Sequence, residues 1–305
     1  MNVSTRTNVG TQRPIADLEY HRTLRPVTRW WRSLVGIVAA GAAYLILSIA
    51  LTSVAILLDP GSFALGQPIS ERPVTPMLLL AVNLAPALMI PVVIGLERLL
   101  FGRSGRLHSV EGRLRWSWLR RLTLWLVPVF VLYGMLSSLV LPMQGGSGPA
   151  RDWALLLVII VATTPLQAAG EEYLFRGFLG RIVGAWLRSG RVALVVSTVL
   201  SSLVFMFAHG STDPWLLGYY LVFGAAMALV AWRTGGLEAP IAVHAVNNVI
   251  LLVIAVLLTD TAGAFNRTAG VGGPFMLLPM VAISLAGLLT VVLAGRRRVS
   301  RRTTS

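Results

Sequence analysis

Charged and amide side chains that could carry out hydrolysis are concentrated between residues 165 and 250 of an otherwise apolar chain. Glu171 and Glu172 directly follow an apolar run, and Arg176 comes five residues after Glu171. His209 closes a second apolar run. An ionisable side chain inside a membrane span costs at least ~2.5–3.5 kcal/mol on insertion scales, so each of these residues needs a partner or a chemical role.

Two further polar residues, His244 and Asn248, lie four positions apart in a later apolar run and therefore share one helical face. A carboxylate and an imidazole at one level can hold and activate a water molecule, with the glutamate as general base and His209 orienting or assisting. His244 and Asn248 offer donors to the oxyanion of amide hydrolysis. Arg176 would pair with Glu172 or with a substrate carboxylate.

Glu171 and His209 are predicted to lie at the same level of a helical hairpin. Residues 171–209 read as two helices joined by a turn at 189–190, and each of the two side chains is ~26 Å from that turn at 1.5 Å per residue. His244 is predicted to lie ~12 Å into the membrane by the same rise. For all three to meet, the hairpin must protrude into the cytoplasm or the sixth span must tilt.

Each polar residue also has a purely structural interpretation. The glutamates would then form a solvated pair at the membrane surface that balances Arg176 and Arg181. His209 would face water at the end of its span, and His244 would form hydrogen bonds between helices, as is common in membrane bundles. These interpretations leave unexplained why the span-embedded histidines and the glutamate pair lie so close together in the sequence.

The residues that other hydrolytic mechanisms require are absent from this sequence. The chain has no cysteine, no serine in a Gly-x-Ser-x-Gly turn and no His-Glu-x-x-His sequence. Glu171, His209 and His244 would nevertheless supply the three ligands of an open zinc site. The predicted cofactor is therefore none or zinc.

The elements that must position these residues are membrane helices. Of 305 residues, 55% are hydrophobic and 12% are charged, whereas soluble domains have about 25% charged residues. Apolar runs long enough to span a bilayer recur along the chain, which predicts an all-α polytopic bundle of about eight spans. They are placed at 34–58, 76–97, 122–143, 153–170, 192–209, 214–232, 237–258 and 274–295. The predicted divisions are an Arg-rich N-terminal arm (1–33), a transmembrane domain (34–295) and a basic tail (296–305).

The arginines predict the orientation of the bundle. With the N-terminus inside, 23 of the 26 basic residues fall on the cytoplasmic side, and Arg72, Arg151 and Arg267 fall outside. Both termini are therefore predicted to be cytoplasmic. Because the basic residues lie between spans, the pattern indicates membrane topology and no nucleic-acid partner. The stretch 98–121, with arginine among leucine and tryptophan, predicts a helix lying on the cytoplasmic membrane surface.

Three short motifs resemble those of a known family. Glu171-Glu172-x-x-x-Arg176, Phe205-x-x-x-His209 and His244-x-x-x-Asn248 are similar in order, spacing and apolar setting to the motifs of the CPBP family. That family contains the CAAX prenyl endopeptidases and the bacteriocin-processing or immunity proteins, also called Abi. The resemblance covers about residues 155–258, roughly a third of the chain.

The resemblance implies an eight-helix intramembrane fold whose catalytic cavity opens to the cytoplasmic side. It implies Glu171 as the water-activating base with His209, and His244 with Asn248 as the oxyanion site. Glu172 and Arg176 would support them. Family members are commonly called metalloproteases, yet the same residues fit a metal-free, glutamate-dependent mechanism, which we favour.

The leading hypothesis is an intramembrane endopeptidase that cleaves a membrane-associated or prenylated, CAAX-like peptide or protein. It would be a multi-pass protein of a bacterial plasma membrane, in contact with lipid and a peptide or protein substrate. The alternative is a non-catalytic bacteriocin-immunity or scaffold protein that uses the same cavity. A third hypothesis is a small transporter with Glu171 and His209 as a proton relay, although the two halves of the chain show no repeat symmetry.

Overall fold

The computed structural model describes residues 17–60, 72–102, 106–140 and 146–303. In these ranges the chain is all-helical, and eight helices are long and apolar enough to cross a membrane. They are α1 (Trp30–Leu58), α2 (Pro76–Phe101), α3 (Trp116–Val140), α4 (Trp153–Trp186), α5 (Gly190–Ala208), α6 (Pro214–Thr234), α7 (Glu238–Leu258) and α8 (Pro274–Arg296). The predicted fold class is confirmed.

The largest difference from the predicted spans is in the fourth, which was expected over 153–170. Helix α4 continues without a break to Trp186, and its segment Tyr173–Gly180 is a π-helix that begins directly after the glutamate pair. π segments inside α-helices are rare and are frequently found at functional sites. The apolar residues of this segment are packed inside the protein rather than against lipid.

The predicted surface helix over 98–121 is wrong. Helix α2 continues to Phe101, α3 begins at Trp116, and the described residues between them form a loop. That loop is drawn into the protein because the Arg115 side chain forms a buried ion pair with Glu238, with Nη2 and Oε2 2.7 Å apart. A buried pair of this kind overrides the amphipathic pattern of the sequence.

The connections between helices meet at two opposite ends of the bundle. One end, here called the terminal face, comprises residues 17–29, 106–115, 187–189, 235–237 and 297–303. It is held together by backbone bonds such as Val110 N to Gly235 O (2.8 Å) and Leu237 N to His108 O (2.9 Å). Burial lowers the pKa of His108, so the neutral ring can accept a hydrogen bond from the Tyr173 hydroxyl.

The other end, here called the cavity face, comprises residues 72–75, 146–152, 209–213 and 259–273. Its loops are also bonded to one another, as by Gly263 N to Arg72 O (3.0 Å) and Thr212 N to Arg267 O (3.0 Å). Both ends of the described chain lie on the terminal face, where Arg302 forms an ion pair with Asp17. The predicted cytoplasmic location of that face stays a prediction, and residues 1–16 of the predicted arm lie outside the described ranges.

The hairpin of α4 and α5 extends beyond the start of α7. Gly177 packs against the side chains of Leu107 and Leu237, so it lies at the level where α7 begins. The chain after it continues outward and is covered by the N-terminal segment, in which Arg22 Nη2 donates to Arg188 O (2.8 Å). The hairpin thus extends past the start of α7, and its protrusion into the cytoplasm stays a prediction.

Close helix contact sets the position of the glutamate pair. A Cβ at Gly170 would lie 1.8 Å from the Pro86 carbonyl oxygen, so only glycine allows α2 and α4 to approach this closely. Glu171 and Glu172 follow immediately, and both are buried. Six residues separate Glu171 from Gly177, and six separate His244 from the start of α7, which is ~9 Å in each case at 1.5 Å per residue.

Candidate active site

The centre of the candidate site is the imidazole of His244 between two consecutive carboxylates of α4. His244 Nδ1 lies 2.8 Å from Glu172 Oε1, and His244 Nε2 lies 3.7 Å from Glu171 Oε2. All three side chains are less than 9% exposed. Because a carboxylate only accepts hydrogen bonds, the Nδ1–H of His244 donates a hydrogen bond to Glu172 Oε1. This bond fixes the ring so that Nε2 is directed at Glu171.

Arg176 stands behind Glu172. Its Nη1 donates to Glu172 Oε1 (3.1 Å) and its Nη2 to the Gly224 carbonyl (3.2 Å), while the guanidinium carbon lies 4.4 Å from the centre of the Phe205 ring. Arg176 is buried and does not line the cavity described below. Of the two partners predicted for it, the structure therefore shows Glu172, and a substrate carboxylate would have to bind elsewhere.

A chain of amide side chains holds Glu171 from the other side. Gln167 Nε2 donates to Glu171 Oε1 (2.6 Å), and Asn248 Nδ2 donates to Gln167 Oε1 (3.2 Å). Asn247 in turn donates to Asn248 Oδ1 (3.0 Å). Sequence reasoning missed Gln167, although its position four residues before Glu171 places it on the same helical face.

The two oxygens of Glu171 are in different situations. Oε1 is held by Gln167, whereas Oε2 is buried without a hydrogen-bond partner among the residues that the structure describes. A buried acceptor in this state is costly, so it indicates a group kept for a ligand or for chemistry. Oε2 is the atom that faces His244 Nε2.

His209 lies at the end of α5 and is not in contact with Glu171. Its Nδ1 donates to the Phe205 carbonyl (2.8 Å), and its ring stacks on Tyr220 with centroids 3.9 Å apart. The ring of Phe205 contacts both histidines, with centroids 4.5 Å from His209 and 6.2 Å from His244. The Phe205 ring thus lies between the two histidines, and His244 rather than His209 lies beside the carboxylates.

A cavity of about 450 Å³ connects these residues with the cavity face. Glu171, His209, His244 and Asn248 all line it. The remaining lining residues come mainly from aromatic positions of α6, from α2 and from the loop before α8; they include Asn83, Tyr219, Tyr220, Phe265 and Arg267. The volume is typical of a small-molecule or short-peptide site.

The direction of this cavity creates a conflict between two expectations. The cavity runs from Glu171 toward the loop 259–273, and none of its described lining residues belongs to the terminal face. If the termini are cytoplasmic, as the arginines predict, the cavity opens to the opposite side of the membrane. The cytoplasmic opening implied by the family resemblance requires the reverse orientation, so the two expectations cannot hold together.

The predicted zinc ligands do not fit a three-ligand site in this arrangement. Zinc needs ligands that converge on one point at about 2.0–2.2 Å. Glu171 Oε2 and His244 Nε2 face each other, but His209 directs Nδ1 at a backbone carbonyl and is separated from them by Phe205. Among the residues that the structure describes, no three His, Asp or Glu side chains are grouped so as to hold a metal ion.

The fold and the site together define an integral multi-pass membrane protein with a buried carboxylate–imidazole pair at the bottom of a cavity. Residues 152–250, which contain all three motifs, match the family model described as type II CAAX prenyl endopeptidase Rce1-like. The match covers about a third of the chain and agrees with the resemblance to the CPBP family that the motifs predicted. A search of curated proteins gives no significant match. The family is a protease family, which supports CAAX-type intramembrane endopeptidase activity in general.

Proposed function

We propose that this protein is an intramembrane endopeptidase in which Glu171 activates water for attack on a peptide bond. The observation that carries the proposal is the unpartnered Oε2 of Glu171, which faces the His244 Nε2 at 3.7 Å on the wall of the cavity. That separation is too long for a direct hydrogen bond and suits two groups that act on one small molecule between them. The match to a peptidase family supports the same assignment.

The proposed reaction needs only residues of this chain. Glu171 Oε2 removes a proton from a water molecule while its oxygen attacks the carbonyl carbon, and the carbonyl oxygen becomes an oxyanion. His244, in its protonated form, and the second N–H of the Asn248 amide donate to that oxyanion. Glu171 then delivers its proton to the leaving nitrogen as the carbon–nitrogen bond breaks, which gives a carboxylic acid and an amine.

The surrounding residues keep this geometry fixed. Glu172 holds the His244 ring through Nδ1 and is itself held by Arg176, and Gln167 holds Glu171 through Oε1. His244 is therefore oriented through Nδ1 and Glu171 through Oε1, which leaves His244 Nε2 and Glu171 Oε2 for the substrate. His209 lies farther along the cavity, where it would contact the substrate or support the wall through Tyr220.

The first test is peptidase activity of the purified protein in detergent on a mixed peptide library, with Glu171→Gln in parallel and with and without a chelator. We expect activity in the unmodified protein and loss of it in Glu171→Gln. Activity that survives in the variant would reject the assignment of Glu171. Loss of activity in the chelator would favour a metal-dependent form over the metal-free reaction written above.

A non-catalytic immunity or scaffold protein that uses the same cavity is the alternative, and the same variant separates the two. If the protein protects cells against a toxic peptide and Glu171→Ala retains this protection, binding rather than hydrolysis is the function. The substrate class proposed first is a membrane-associated peptide or a prenylated, CAAX-like C-terminus, because the matched family is named for that substrate. Prenylated and unprenylated forms of one peptide distinguish these two classes.

The side of access is testable because the chain contains no cysteine. Ala269→Cys on the cavity face and Arg188→Cys on the terminal face both introduce one exposed thiol. With the termini cytoplasmic, a membrane-impermeant maleimide added to intact cells is expected to label Ala269→Cys only. Labelling of Arg188→Cys alone would place the cavity opening in the cytoplasm and would overturn the orientation predicted from the arginines.

A further inference from the structure

A second cavity, of about 20 Å³, lies between residues of the terminal face and helices α4, α5 and α6. Among the residues that the structure describes, it shares no lining residue with the large cavity, and all of its lining residues are buried or half-buried. About 10–15 Å³ is enough for one water molecule, so this cavity is large enough for a single water and too small for an organic ligand. One of its lining residues is Arg176, which holds Glu172 of the candidate site.

Two residues that line this cavity, Arg176 and His21, each have a buried nitrogen without a hydrogen-bond partner among the described residues. Arg176 donates through Nη1 to Glu172 and through Nη2 to the Gly224 carbonyl, so its Nε–H is the donor that is left. Burial lowers the pKa of His21, so its ring is neutral. Its Nε2 donates to the Gly190 carbonyl (3.4 Å), which leaves Nδ1 as an acceptor. Buried polar atoms in this state are costly, so the cavity is built for a polar ligand.

Two buried serines of α5 supply further acceptors to the same cavity. Ser197 Oγ donates to the backbone carbonyl three residues earlier (3.2 Å), and Ser201 Oγ does the same (3.3 Å). A hydroxyl has one proton, so each of these oxygens has only lone pairs left for a ligand. The cavity therefore offers one donor, the Arg176 Nε–H, and three acceptors, which are the two serine oxygens and His21 Nδ1.

An ion does not suit this set of groups. An anion would find one donor, and it would lie close to Glu172, which already neutralises Arg176 at 3.1 Å. A cation would face the guanidinium. A neutral molecule with two donors and one acceptor matches the cavity, and water is the molecule of this kind that fits its volume.

We propose that this cavity binds one water molecule, which accepts from the Arg176 Nε–H and donates to two of the three acceptors. All three nitrogens of the guanidinium are then bonded, so Arg176 is fixed in the orientation in which it holds Glu172. Glu172 in turn holds the His244 ring through Nδ1. The water is thus a positioning group that links the terminal face to the candidate site, and it takes no part in hydrolysis itself.

The site is tested by crystal structures of the full chain in lipid, at a resolution that shows ordered waters. We expect one density peak within hydrogen-bonding distance of Arg176 Nε in the unmodified protein. The peak should disappear in Ser201→Val, which removes one acceptor and fills part of the cavity. A dry cavity in the unmodified protein would overturn the inference. Crystals grown with bromide in place of chloride identify an anion, and an anomalous bromide signal in the cavity would overturn the assignment to water.

The positioning role is tested by kinetics, and this arm rests on the proposed peptidase function. The variants are Ser201→Val and Ser201→Ala, and the control is Ser202→Ala. Ser202 is also buried and donates to the same Thr198 carbonyl (2.6 Å), but it does not line the cavity. One hydrogen bond corresponds to about twofold to tenfold. We expect kcat to fall by this factor in Ser201→Val and by less in Ser201→Ala, with KM unchanged in both and no change in the control.

The two arms fail in different ways. An unchanged kcat in Ser201→Val, with the water gone from its cavity, would reject the positioning role. An equal loss of kcat in Ser202→Ala would also reject it, because any lost hydroxyl on α5 would then have the same effect. If Ser201→Val does not fold, Ser201→Ala adds no bulk and gives the same comparison. If the unmodified protein cleaves no peptide, the proposed function has failed, and the density in the cavity still decides whether the water site exists.

Discussion

Buried carboxylates occur at both the terminal face and the candidate site, but they are satisfied differently. At the terminal face Glu238 Oε1 accepts from Arg115 N (2.8 Å) and Nε (2.9 Å), and Oε2 accepts from Nη2 (2.7 Å). Glu97 is paired through both oxygens with Arg181, at 2.6 and 3.4 Å. In the site, Glu171 and Glu172 each have one bonded oxygen and one oxygen without a partner among the described residues.

The difference separates structural charges from reactive ones. A buried ion pair with every atom bonded can fix the register of loops, as Arg115 does for the loop 106–115, but it has no atom left for a substrate. Leaving a buried carboxylate oxygen without a hydrogen bond costs stability. Of the two glutamates in the site, Glu171 lines the cavity, so its free oxygen is the one that can meet a substrate. The comparison therefore predicts that variants at the terminal face lower stability, whereas variants at the candidate site lower activity.

The largest expected effect on activity is that of Glu171→Gln. Glutamine keeps the shape and can still bond Gln167, but it cannot accept the proton of water. We expect kcat to fall by about 10²–10⁴-fold, the contribution typical of general acid–base catalysis. Stability should not fall, because a buried charge is removed, and a thermal melt in detergent checks this. A lowered melting temperature together with lost activity would place Glu171 with the structural carboxylates.

The largest expected effect on stability is that of Arg115→Met. The variant keeps the hydrogen bond from the backbone N–H of residue 115 but leaves the buried Glu238 carboxylate without its guanidinium, and breaking a buried ion pair in this way costs about 3–5 kcal/mol. Equilibrium unfolding in denaturant measures the change. The double variant Arg115→Met with Glu238→Leu should recover much of the loss, since it replaces the pair by apolar side chains. If Arg115→Met proved as stable as the unmodified protein, the terminal face would not depend on this pair.

A smaller effect on activity is expected for Gln167→Met, which removes the donor to Glu171 Oε1 at nearly constant volume. The carboxylate then loses its fixed orientation, and Asn248 loses its acceptor. A hydrogen bond to a charged group contributes about 1.5–3 kcal/mol, so kcat is expected to fall roughly tenfold to a hundredfold. Steady-state kinetics on the peptide found with the library measure this change. A change in KM alone would show that Gln167 contacts the substrate rather than positioning Glu171.

The sequence was sufficient for the number of spans and for the order of the motifs, because hydropathy and residue spacing report length along a helix. It was not sufficient for rotation about the helix axes. The spacing placed Glu171 and His209 at one level, but the π-helix after Glu172 and the crossing of α4 with α7 bring His244 to the carboxylates instead. Rotation depends on packing between helices, which periodicity in one helix does not report.

Arg267 was counted in the sequence only as one of three arginines on the outer side. Its loop has no helical or strand periodicity. Its position is set by hydrogen bonds to the turn 209–213, which cannot be predicted from the local sequence. The prediction of a surface helix over 98–121 failed for the same reason, since the arrangement of the loop before α3 depends on Glu238, more than a hundred residues away. In this chain, long-range polar contacts are what sequence reasoning could not supply.

The smallest effect is expected for Arg302→Ala, which removes the ion pair that joins the two ends of the described chain. Arg302 Nη1 lies 2.6 Å from Asp17 Oδ2, but the side chains are 52% and 69% exposed. Water already solvates both charges, so exposed pairs of this kind contribute about 0–1 kcal/mol and less at high salt. Unfolding at low and high salt measures the contribution. If Arg302→Ala lost as much stability as Arg115→Met, the length of an ion pair rather than its burial would decide how much it stabilises the protein. Burial would then no longer explain why the charges of the terminal face and those of the candidate site behave differently.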